Sequence, residues 1–98
     1  MKTVQFKRWN CAIKKETYKN GVTALVLYDV NDGEKVLTAT VNLPEYQLQE
    51  AKEELTFIKN WSENEGILEC LIENKIVDYS GIDVPTGFVV ANLVKVLI

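Results

Sequence analysis

The chain has 98 residues, 47% of them hydrophobic and 26% charged, with a formal net charge of −3 and no histidine. That length suits one domain with one small core. The mild acidity argues against a dedicated nucleic-acid binder. The missing histidine removes the commonest general base, the Ser-His and Cys-His pairs and most zinc sites.

Met1-Lys2 leads into mixed polar and apolar residues, so no signal peptide is expected. No apolar run approaches the roughly 20 residues of a spanning helix, and a cytoplasmic location is expected. Cys11 and Cys70 match no metal spacing and read as reduced packing residues.

Residues 3–17 are predicted to form one strand. Trp9, Cys11 and Ile13 share one parity, while Val4 and Phe6 fall on the other. A bulge near Lys7-Arg8 would put both sets on one face. Asn20-Gly21 and Asp32-Gly33 are predicted two-residue hairpin turns. They join strands 22–30 and 35–43 into a meander with the middle strand central. Such turns place Ile13 opposite Tyr28, and Tyr28 opposite Leu37. One face then carries Cys11, Ile13, Ala24, Val26, Tyr28, Val30, Leu37, Ala39 and Val41. Asp29 and Asp32 read as turn chemistry.

Pro44 ends the third strand. Residues 45–54 have helix propensity, with Leu48, Ala51 and Leu55 at helical spacing, and predict a short helix or helical turn. A short strand follows at 55–59. Ser62 and Glu65 form an S-x-x-E capping box, which predicts a helix over 63–75. Ile67, Leu68, Leu71 and Ile72 make its apolar stripe. Cys70 lies at the edge of that stripe and reads as packing. Glu65, Glu69 and Glu73 read as a solvated flank.

Residues 78–87 are predicted to be a connection punctuated by Gly81, Pro85 and Gly87. The stretch 88–97 is a strand apolar in both parities. It suits an inner strand, or one that pairs with another copy to make a homodimer. The fold class is a single α+β domain over 1–98, an antiparallel sheet with one main helix packed on it.

No P-loop or dinucleotide fingerprint occurs, and no catalytic constellation is visible. The chain is therefore expected to be no enzyme and to need neither cofactor nor metal. Six of the eleven basic residues, Lys2, Lys7, Arg8, Lys14, Lys15 and Lys19, fall in the first nineteen positions beside Trp9 and Tyr18. Guarding an edge strand is the favoured reading, with single-stranded nucleic-acid binding as an alternative. The candidate binding surface is the junction Lys59, Asn60, Trp61, Ser62, Glu63, Asn64 and Glu65. Trp61 is either packing or, if exposed, a binding hot spot.

Thr38–Pro44, the run Phe57-Ile58-Lys59-Asn60-Trp61-Ser62-Glu63-Asn64-Glu65-Gly66, Gly81 and Pro85–Val89 resemble a family of small proteins of unknown function. Its members are carried by bacterial phages, plasmids and conjugative elements. The likeness covers roughly the C-terminal two thirds, and residues 45–54 fit it least. It implies a mobile-element accessory protein and supplies no catalytic residues. By analogy with such proteins, an inhibitor of host defence, of anti-CRISPR or anti-restriction type, is expected. The leading expectation is thus a non-catalytic protein that binds a host protein partner and does not engage a membrane. The alternative is a small-molecule or nucleotide-binding module using the helix N-terminus at 60–66.

Overall fold

The structure, a computed structural model, describes residues 2–98. The parity switch between Phe6 and Trp9 marks a chain reversal, not a bulge. β1 (Thr3–Phe6) and β2 (Trp9–Thr17) are separate strands joined by Lys7-Arg8, with Phe6 opposite Trp9 and Val4 opposite Cys11. A two-residue turn pairs an even position with an odd one, so it unites the two apolar sets just as a bulge would. Lys7 takes a φ of 54°, a conformation usually signalled by glycine or asparagine. The sequence therefore carries no turn signal there.

β2 pairs with β3 (Thr23–Asp29), and β3 with β4 (Lys35–Thr38). Both predicted hairpin loops are too short, the first by one residue and the second by two. Tyr18 N–H donates to Val22 O, and Gly21 N–H to Tyr18 O, so the first loop holds Lys19, Asn20 and a left-handed Gly21. Ile13 consequently faces Leu27, not Tyr28. At the second turn Asp29 N–H donates to Glu34 O and Gly33 N–H to Asp29 O, which leaves 30–33 as the loop. A register shift between Leu27 and Tyr28 follows, so Leu27 faces Leu37.

The two shifts cancel for the flanking strands. Cys11, Ile13, Leu37 and Ala39 do share the buried face, but the central strand is inverted. It contributes Leu25 and Leu27 to this core, while Ala24 and Val26 are buried outside it and Tyr28 is only half-buried. Val30 is exposed. Asp29 and Asp32 accept the amides of Asn31 and Glu34, which is turn chemistry.

The expected third strand divides at Ala39. Its N–H donates to Leu25 O, and its carbonyl accepts from Lys59 N–H, so the chain passes there from one sheet to a second. β5 (Thr40–Val41) pairs with β6 (Leu55–Ile58). Between them lie two 3-10 turns, Pro44–Tyr46 and Leu48–Glu50.

Residues 78–87 form a strand rather than a connection. β7 (Val77–Thr86) and β8 (Val89–Val96) make a hairpin closed by Gly87-Phe88. The sheet absorbs the loop-like residues of this stretch. The register shifts between Tyr79 and Asp83, around Gly81, and Pro85 sits on an edge strand, which tolerates a missing N–H. The sheet orders are β1-β2-β3-β4 and β5-β6-β8-β7. β8 is thus an inner strand. Its two edges are taken by β6 and β7, so strand pairing with another copy is unavailable over that paired length.

α1 (Ile67–Glu73) is shorter than the predicted 63–75. Ile67, Leu68 and Leu71 are buried, whereas Ile72 lies outside the core. Lys75, with a φ of 59°, ends the helix in a Schellman motif: Lys75 N–H donates to Ile72 O and Ile76 N–H to Leu71 O. The core lies between the first sheet, with Phe6, Cys11, Ile13, Leu25 and Leu27, and a layer made by α1 and the second sheet, with Ile58, Ile67, Leu71 and Val94. Phe57 alternates to the other face of its sheet, where Tyr46 packs edge-on at 5.3 Å between ring centroids.

Candidate functional site

β6 stops at Ile58, and the chain turns through residues 59–66 into α1. Asn60 builds this junction. Its Oδ1 accepts from Gly66 N–H at 3.0 Å and from Leu68 N–H at 3.0 Å. One side chain thereby closes the loop and caps the helix start. The predicted capping box does not form. Ser62 sits at a φ of 56° in a 3-10 turn, Ser62–Asn64, and neither this turn nor α1 has a cap bond from the side chain at its N-cap position. Gly66, at a φ of 95°, separates that turn from the helix. The capping oxygen comes from outside the S-x-x-E window, where a local motif cannot see it.

Asn64 is only 1% exposed. Its Nδ2 donates to Thr38 O at 2.7 Å, while Oδ1 has no protein partner. It anchors the loop to the first sheet and is not available to a partner, contrary to the sequence reading. Asn60 is likewise committed to the fold. Lys59 Nζ meets Glu63 Oε1 at 2.9 Å, and Lys7 Nζ reaches the Glu63 carbonyl at 3.0 Å. The hydrogen bond from Lys59 holds the Glu63 carboxyl below its ordinary value. This pair is solvated and adds little stability. Trp61 is half-buried, and Ser62, Glu63 and Glu65 are exposed. Of the seven predicted site residues, these four present a surface, two build it, and Lys59 braces it.

Several chemistries lack their parts here. Among the described residues no group of three or more Cys, Asp or Glu side chains is placed to hold a metal ion. Cys11 and Cys70 are free thiols, and burial, the main cause for both, pushes each above its ordinary value, away from the reactive thiolate. At the start of α1 the Gly66 and Leu68 amides are already taken by Asn60. No helix among the described residues is long and apolar enough to cross a membrane.

The N-terminal cations are dispersed. Alternation sends Lys14 and Lys15 to opposite faces. Lys14 lies over the Tyr28 ring at 6.0 Å, and Arg8 over the Trp9 ring at 4.9 Å. Lys15 Nζ binds the Ile98 carbonyl at 2.7 Å and the Glu54 carboxylate at 3.3 Å.

One feature was missed by the sequence reading. Phe88, at the β7–β8 turn, is 109% exposed, and Val90 and Ile82 on the same hairpin are 49% and 54% exposed. Ile58, the last residue of β6, pairs with Asn92. Beyond that level β7 and β8 continue without β6, toward the end of the sheet from which residues 59–66 depart. Gly87 followed by Phe88, between β-prone segments, was the available signal, since glycine at the first central position marks a type II′ turn. At the root of this overhang Asp83 Oδ1 accepts from Tyr79 Oη at 2.6 Å and from Asn92 Nδ2 at 2.8 Å. These bonds hold Asp83 below its ordinary value, the bond from Tyr79 first, and the same contact raises the Tyr79 phenol.

Comparison of the chain with protein-family models, with curated proteins and with solved structures finds no match.

Proposed function

We propose that this is a non-catalytic protein that acts by binding another protein through the junction at 60–66. The observation that carries it is the construction of that loop. Asn60 and Asn64 direct their hydrogen bonds inward and fix the backbone, leaving Trp61, Ser62, Glu63 and Glu65 on an outer surface of set shape. A pre-formed loop loses little conformational entropy on association, and a tryptophan ringed by polar groups is a favoured anchor. Ser62 in the left-handed region adds a local strain of the kind that gathers at binding sites.

In this reading the protein is a cytoplasmic accessory of a bacterial mobile genetic element, as the resemblance of the 57–66 run implies, with a host defence component as its partner. Purified protein with Trp61→Ala, confirmed as folded by circular dichroism, tests the reading against the wild type in affinity capture from bacterial lysate. A single protein retained in stoichiometric amount by the wild type and lost by the variant is expected. Substrate turnover by the purified protein alone would contradict it.

A further inference from the structure

We infer that the overhanging tip of the β7–β8 hairpin is a second part of the same binding surface, with Phe88 as an anchor that enters an apolar pocket of a protein partner. The inference rests on the protein-binding reading and adds the surface and the chemistry of its receptor.

Phe88 does nothing for the fold. It is fully exposed, and its place in the turn requires no aromatic side chain. The turn itself is tight, with the strands paired up to Thr86 and Val89. Gly87 has a φ of 64° and Phe88 does not share that region, the pattern of a type II′ turn whose twist matches the strands. Thr86 opposite Val89 and Pro85 opposite Val90 hold the ribbon up to its tip. A large apolar side chain on a closely paired projection has little entropy left to lose on binding. Exposed apolar surface gathered on one ribbon marks an interaction site more than isolated exposure does.

Charge and strand geometry select the occupant. Val84 to Val94 has no ionisable side chain, and no lysine or arginine lies between Lys75 and Lys95. The nearest carboxylate, Asp83, is held ionised by Tyr79 and Asn92. Such a ribbon offers none of the cations that nucleic acid and anionic bilayers require at the contact. Against a second copy paired along this ribbon stands the β7 edge, which is interrupted by its register shift and by Pro85. A protein pocket that is apolar inside and neutral or basic at its rim remains. The surface is continuous in direction with the loop at 60–66, because both leave the sheet at the level of Ile58 and Asn92.

The test places the photo-reactive p-benzoyl-phenylalanine at position 88 and irradiates the protein in bacterial lysate, alone, and with phosphatidylglycerol vesicles. The protein in the adduct is then purified and titrated with wild type, Phe88→Asn, Phe88→Trp and Trp61→Ala. Phe88→Asn suits the turn and leaves thermal unfolding unchanged. A saturable complex weakened by ~30-fold or more in Phe88→Asn and retained by Phe88→Trp is expected. Adducts only with itself or with vesicles overturn the inference, as does a complex indifferent to Phe88→Asn. A complex sensitive to Trp61→Ala but not to Phe88→Asn removes the hairpin and leaves the loop. A complete lack of a protein adduct and of captured protein removes both.

Discussion

Asn60 and Ser62 stand two positions apart, and the structure gives them opposite weights. Asn60 Oδ1 serves the amides of Gly66 and Leu68, so Asn60→Ala leaves two donors without their acceptor. A cost of roughly 1–2 kcal/mol is expected in urea unfolding. Ser62→Ala removes no cap bond and is expected to change stability by less than about 0.5 kcal/mol. If the two costs were reversed, the capping box would be the true helix start. Lys75 gives a third test. It holds a left-handed backbone at the helix end without a glycine, so Lys75→Gly should stabilise by roughly 0.5–1 kcal/mol after the added unfolded-state entropy is counted. An unchanged or lower unfolding midpoint would count against that strain.

At the scale of elements, strand existence was legible in the sequence, and strand register was not. Hydrophobic alternation and β-propensity place β3, β6 and β8 correctly. Register depends on loop length, and Asn20-Gly21 reads the same whether its glycine closes a two-residue turn or ends a three-residue one. That single residue turned β3 over. Leu27 is 0% exposed and Tyr28 is half-buried, so Leu27→Ala should cost about 2–5 kcal/mol and Tyr28→Ala several-fold less. Equal costs, or the reverse order, would restore the two-residue registers. β7 was hidden for a different reason. Gly81 and Pro85 are loop residues by propensity, and only an edge position with a bulge makes them strand residues. The candidate junction was legible as a place but not in its parts. Asn64 reads as polar surface until Thr38 O, 26 positions away in sequence, is seen to hold it inside.

Across the whole molecule, the two sheets exchange at Ala39 and close over one core, and both candidate binding surfaces depart from the same end of the second sheet. That end also carries pH-sensitive groups. Glu63 and Asp83 have folded-state values below their ordinary ones. Depressed carboxylates contribute stability above their unfolded pKa and lose it as pH falls through the folded one. Stability should therefore decline as pH drops below about 4, and less steeply in Asp83→Asn. Tyr28 and Tyr79 are raised, each mainly by donating to a carboxylate. Their contribution is present below the unfolded tyrosine value and should be lost as pH rises above about 10. Thermal unfolding across pH checks both limbs, and a flat acid limb in the wild type would contradict the carboxylate assignments.

The most direct measurement of the central claim is quantitative affinity capture from bacterial lysate with wild type, Trp61→Ala and Glu65→Arg side by side, each verified as folded. Glu65 is exposed and Trp61 half-buried, so the two variants alter the loop surface without touching Asn60 or Asn64. One protein held near stoichiometry by the wild type and released by both variants is the predicted result. Capture that is the same for all three proteins, or absent from all, would contradict a binding role for the loop.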